Sequence, residues 1–237
     1  DSYNVKITDV ISSFFLNNVY VIGKYFYEYF LNFSLKYNSL DKTFFPNKGC
    51  YYNISYKVIL PYSNINYYQI NLNYNYYKLF YNKYIVNLFG HIKYGGIYNH
   101  FYSYPFFKNY FFIGTSNVRG YEDKSLGPKI NKGDKKLPFG GNFSFLFKLS
   151  FFTSSFFGLT SIRSGVFFDF GQIYNTITTV YSIVKIINPV NIKFSTGIVF
   201  IWITPFGIPL EISLAKPFNV DLNDKIKNIH CAFGASL

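Results

Sequence analysis

The chain has 237 residues, 49% hydrophobic and 24% aromatic, yet only 14% charged, where soluble proteins carry about 25%. So little charge cannot cover a water-soluble domain, and Lys, Asn, Ser or Pro interrupts every apolar run short of the roughly 20 residues that a membrane-crossing helix needs. The net charge of +12 comes from lysines scattered singly among strand-like residues, which argues against a nucleic-acid partner.

What remains is an all-β chain that closes its backbone hydrogen bonds between strands and turns apolar side chains outward at every second position: a transmembrane antiparallel β-barrel. In chain order, a strand is expected near Tyr3 to Ile7, and Asp9 to Tyr29 carries no legible pattern. Nine strands are then predicted, at Leu31 to Tyr37, Cys50 to Leu60, Asn66 to Lys78, Tyr84 to Tyr94, Asn142 to Phe151, Ile162 to Phe170, Asn191 to Trp202, Leu210 to Leu214 and Ile229 to Leu237. The third is the clearest case of alternation. Tyr68, Ile70, Leu72, Tyr74 and Tyr76 share one face, and Gln69, Asn71, Asn73 and Asn75 the other, a period of two that no helix produces.

The connections alternate in kind. Phe44 to Gly49, Tyr81 to Lys83, Thr153 to Ser161 and Thr204 to Pro209 are comparatively short, with turn-forming Pro, Gly, Asn or Ser. Pro61 to Asn64, Gly95 to Gly141, Asn175 to Val190 and Asn219 to Lys227 take the alternate places, and three of these four are longer. Short turns on one rim and long loops on the other are how outer-membrane barrels are built.

On the strand from Ile162 to Phe170, lipid-facing parity falls to Ile162, Val166, Phe168 and Phe170, so Arg163, Gly165, Phe167 and Asp169 face the lumen. Of the eleven acidic residues only Asp169 and Glu211 occupy lumen positions of well-defined strands. Cys50 and Cys231 are too few and too isolated for a disulfide framework or a zinc site, and His91, His100 and His230 stand alone, with His91 and His230 at lumen parity. No phosphate-binding, metalloprotease or nucleophile-elbow motif is present, so no enzymatic activity, metal or cofactor is expected. The chain starts at Asp1 without a signal-like segment and reads as a piece of a longer precursor.

One segment breaks the monotony. "FFIGTSNVRGYEDKSLGPK", Phe111 to Lys129, resembles the signature loop of the outer-membrane β-barrel assembly family, which includes bacterial BamA, the mitochondrial sorting and assembly core subunit and the plastid outer-envelope import channel. "GGNFSFLFKLSFFT", "IRSGVFFDFGQIYN", "IKFSTGIVFIWITPFGIPLEISLAKPF" and "IHCAFGASL" follow in the family's order, and "DKTFFPNKG" resembles a turn common upstream, so the resemblance spans Leu31 to Leu237.

The resemblance implies the C-terminal part of a barrel of about sixteen strands, with the first strands and any POTRA domain outside residues 1–237, all of which then belong to the membrane domain. It implies a lumen loop motif of Val118, Arg119, Gly120 and Tyr121, with Arg119 reaching Asp169 beside Phe167 on the inner wall, and turn positions at Gly114, Gly127 and Pro128. It also implies a lateral seam strand of Ile229, His230, Cys231, Ala232, Phe233, Gly234, Ala235, Ser236 and Leu237, in which Gly234 reads as a weak point. The function implied is insertion of β-barrel precursors into the mitochondrial outer membrane. The expected partners are lipid, unfolded barrel precursors and accessory assembly subunits. A plastid-type import channel and a passive porin are the alternative functions, and the plastid outer envelope or a bacterial outer membrane the alternative locations.

Overall fold

The computed structural model describes residues 2–4, 25–63, 65–98, 104–132, 135–155, 158–177 and 186–233. Nine strands form one antiparallel sheet in which each pairs with its neighbour in sequence. They are β1 (Phe30–Asn38), β2 (Gly49–Ile59), β3 (Tyr67–Phe80), β4 (Tyr84–Ile97), β5 (Phe143–Thr153), β6 (Ile162–Tyr174), β7 (Lys193–Ile203), β8 (Pro209–Phe218) and β9 (Ile229–Phe233). All nine correspond to the strands expected from alternation. The strand expected near Tyr3 lies apart from this sheet, as Ser2–Asn4 paired with Tyr25–Tyr27; residues 5–7, and the seam residues Gly234, Ala235, Ser236 and Leu237, lie outside the described residues.

The sheet curls so that one face surrounds the long connection between β4 and β5. On the other face Ile70, Leu72, Leu88, Phe151, Val166, Phe168, Ile198, Phe200 and Trp202 are exposed. So continuous an apolar surface far exceeds what a water-soluble protein shows, and suits lipid. Aromatic side chains on that face stack across strands, as in Phe147 against Phe170 at 5.1 Å and Phe168 against Phe194 at 6.0 Å. Among the described residues no helix is long and apolar enough to cross a membrane.

Several strands outrun their sequence-based ends. β6 continues through Gly171 to Tyr174 because β5 offers partners as far as Phe143. β8 continues through Pro217, opposite Ser195; β9 pairs only with Leu210 to Leu214, so Pro217 lies where one side of β8 carries no sheet partner and a missing N–H costs no ladder bond. The strand ends joined through 39–48, 81–83, 154–161 and 204–208 share one rim, and those joined through 60–66, 98–142, 175–192 and 219–228 the other.

Candidate functional site

Between β4 and β5, residues 104–132 fold inward, against the inner faces of β5, β6 and β8. Val118 and Tyr121 are buried with Phe112, Leu126, Leu146 and Ile173 in a dry cluster that glues the loop to the wall. Backbone shape is set by glycine at two close approaches. Gly120 has φ +96° with Pro217 directly above it, and Gly127 has φ +103° with Ile173 where a Cβ would lie only 2.9 Å away. Gly114 also has positive φ (+57°), but in open space. Next to Gly127, the Pro128 carbonyl accepts the Phe139 N–H at 2.9 Å.

The loop's tip is Arg119. Its Nη2 donates to Asp169 Oδ1 at 2.7 Å and its Nε to Asp169 Oδ2 at 2.8 Å, a two-pronged pairing to which its backbone N–H adds a third bond at 3.2 Å. Nη1 reaches Glu211 Oε1 on β8 at 3.3 Å. The guanidinium lies 3.5 Å from the centroid of the Phe167 ring, a cation–π contact beside the ion pair. Asp169 is fully buried. Lys148 of β5, in register with Asp169, stands 3.9 Å from it and donates to the Thr115 carbonyl at 2.8 Å. Burial by itself would lower the Arg119 pKa; Asp169 and then Glu211 outweigh it and hold the pKa above its ordinary value, so the arginine is a permanent cation.

The loop also grips the last strand. Gly120–Tyr121 pairs antiparallel with Ile226–Lys227, the lead-in to β9, and the Glu122 N–H donates to the Lys225 carbonyl at 2.9 Å. The Gly120 N–H donates to Nε2 of His230 at 2.8 Å, so that nitrogen is the unprotonated one. The Tyr121 hydroxyl donates to the Phe218 carbonyl. Burial, with the charges of Asp224 and Asp221, raises the Tyr121 phenol pKa. In β9 itself Ile229, Cys231 and Phe233 point outward, while His230 and Ala232 face inward.

The structure therefore brings Val118, Arg119, Gly120, Tyr121, Phe167 and Asp169 together, and adds Glu211, Lys148 and His230. Lumen parity placed Glu211 and His230 on the right face; only the fold puts them beside Arg119 and Gly120. Two further clusters had no sequence signal. Glu28, in the stretch without a legible pattern, is buried and accepts from Tyr67 Oη at 2.8 Å, with Lys57 and Lys108 at 3.4 and 3.3 Å. Lys193, also buried, reaches Asp221 at 2.7 Å and Asp224 at 2.6 Å, and Lys129 joins Asp224 at 2.9 Å, which ties the 219–228 connection to the wall and to the inward loop. Cys50 and Cys231 are free thiols, and among the described residues no group of three His, Cys, Asp or Glu side chains converges to hold a metal ion.

A family description, the Omp85 superfamily domain, matches residues 23–237. The chain is 25% identical over 219 residues to the outer membrane protein assembly factor BamA of Neisseria meningitidis, covering 84% of this chain and 27% of that protein. The structure of BamA from Haemophilus ducreyi lacking POTRA domains 1–3 superposes with a TM-score of 0.76 at 27% identity, over 89% of this chain and 43% of that one. The chain thus spans about a quarter of the BamA sequence and under half of the solved BamA chain.

Proposed function

The chain belongs to the Omp85 superfamily, and from that premise we propose that it forms the lipid-embedded barrel region of a β-barrel protein insertase, integral to an outer membrane. The observation that carries this is the dual grip of the inward loop, held by Asp169 and Glu211 on the fixed wall and by His230 and the Lys225 to Lys227 lead-in on the last strand. Among the described residues β9 pairs with β8 at five positions, from Leu214 opposite Ile229 to Leu210 opposite Phe233. An exposed strand edge is a template on which an incoming unfolded strand can pair.

In this mechanism no covalent bond changes. Precursor strands replace backbone hydrogen bonds at the opened seam and then leave into lipid, while the loop stays anchored on Asp169. The substrates are unfolded barrel precursors, with accessory assembly subunits as further partners. Residence in the mitochondrial outer membrane is the narrower part of the proposal; it rests on the Lys, Asn, Tyr, Phe and Ile bias of the chain, whereas both relatives above are bacterial. A passive porin has no use for a loop pinned inside its lumen to both the wall and the last strand.

Depletion of the full-length protein tests the proposal. Newly made barrel proteins should accumulate unassembled, and an organelle co-stain of the tagged protein should mark mitochondria. Normal barrel assembly in depleted cells rejects the insertase reading, and a plastid stain moves the protein to the import branch.

A further inference from the structure

Arg163 is buried on the inner wall nearer the short-turn rim than Asp169, and takes no part in holding the loop. It reaches across the lumen mouth to the connection between β1 and β2. Its Nη1 donates to the Pro46 carbonyl at 2.9 Å, and its Nη2 to the Phe45 carbonyl at 2.8 Å and to Asn47 Oδ1 at 2.7 Å. The guanidinium carbon also lies 4.5 Å from the Phe45 ring centroid. The connection is itself well built: Asp41 Oδ1 accepts the Asn47 and Lys48 N–H groups at 2.8 and 3.3 Å, and Phe45 turns the apex inward in a left-handed conformation, φ +54°.

Between this apex and Arg119 lies a chamber of about 340 Å³, lined among others by Phe45, Asn75, Arg119, Lys148, Arg163 and Glu211. Roof and floor of the chamber are not alike. Arg119 is bonded to two carboxylates, whereas the hydrogen bonds of Arg163 go to neutral oxygens, the Asp41 carboxylate acts on it without a direct bond, and its Nε is buried with no hydrogen-bond partner. A buried guanidinium held only by neutral acceptors recovers much of its lost hydration on release, so its closed and open states lie close in free energy.

We propose that the apex Phe44 to Asn47, clamped by Arg163, is a gate on the short-turn side of the lumen, and that it opens to ions while the inward loop stays docked. The gate concerns passage through the lumen, not insertion of precursors, and stands apart from the insertase reading.

The test is single-channel recording of the full-length protein in planar bilayers of neutral phospholipid with potassium chloride and no precursor present. Arg163→Ala should raise the ratio of open to closed states about ten-fold or more, the shift expected from losing even one net hydrogen bond to a charged group. Asn47→Ala, which removes one of the three bonds, should raise it less. Folding is checked by heat-modifiable gel mobility. A folded Arg163→Ala barrel that conducts like wild type overturns the gate. Should Arg163→Ala not fold, Arg163→Lys, which keeps the stem but not the fork, and Asn47→Ala decide together: raised opening in both supports the gate, and wild-type conductance in both rejects it. Because no precursor is present, a failed insertion assay and a failed gate remain separate results.

Discussion

Replacing Asp169 by Asn keeps the shape of the loop's anchor and removes its charge. Truncating one partner of a buried, hydrogen-bonded ion pair costs about 3–5 kcal/mol, because the other charge is left without compensation. Two features of the site reduce that loss. Glu211 stays 3.3 Å from Nη1, a Coulomb attraction of about 5 kcal/mol at an effective dielectric of 20 before desolvation. The new amide oxygen can also still accept one guanidinium N–H, worth about 1 kcal/mol. Lys148, 3.9 Å from Asp169, pulls the other way by losing the same countercharge. The balance is a loss of about 2–3 kcal/mol in docking the loop, or roughly a 30- to 140-fold fall in the ratio of docked to undocked states. Native-state hydrogen exchange on the full-length protein reads this directly at the amides of Gly120, Glu122 and Lys124, which are bonded to His230, Lys225 and Phe112. Their protection should drop together by that factor while amides of β3 and β4 stay unchanged. Unchanged protection of the three loop amides, or a larger drop for Glu211→Gln than for Asp169→Asn, would refute the assignment of Asp169 as the principal anchor.

Two more outcomes are expected. Exchanging the charges, Arg119→Glu with Asp169→Arg, should not restore docking, because the new glutamate would sit beside Glu211 and the new arginine beside Lys148; a double variant with wild-type loop protection would show that these two neighbours do not shape the site. The Lys193, Asp224 and Lys129 cluster should give the 219–228 connection an acid limit. Burial alone would raise the Asp224 pKa, but Lys193, the Asp221 N–H and Lys129 hold it below the ordinary 3.8. A pKa lower in the folded than in the unfolded state makes the latch fully present above about pH 5 and loses it as pH falls through the folded value. Protection of the Glu122 amide, bonded to Lys225, should therefore be flat from neutral pH down to about 5 and decline below about 4, and Asp224→Asn should lower the plateau and abolish the acid decline. An acid decline that survives in Asp224→Asn assigns it to another group.

The strands and their facing are legible in the sequence because both are local. Side-chain direction alternates residue by residue along an extended chain, so Tyr68, Ile70 and Leu72 against Gln69, Asn71 and Asn73 define two faces whatever β3 pairs with, and a slip of one residue would send every asparagine into lipid. The same parity put Asp169, Phe167, Glu211 and His230 on the lumen side. The meeting of Arg119 with Asp169 entered as an expectation only through the resemblance of the VRGY segment to a known loop.

Composition and alternation thus determined, on their own, that the chain from Leu31 onward is a membrane sheet of nine outward-apolar strands with short turns on one rim and longer loops mostly on the other, while the further strand they suggested near Tyr3 lies apart from that sheet. Which residues face one another across the lumen was decided by the tertiary structure alone. Arg163 with Phe45, Gly120 with His230 and Glu28 with Lys108 join elements that touch only once the sheet has curled, and curvature is a sum of small twists over many strand pairs that no local pattern records. Buried charges depend on that curl more than any other group, since each lysine or carboxylate is tolerable in a low-dielectric lumen only where a partner arrives from a distant part of the chain.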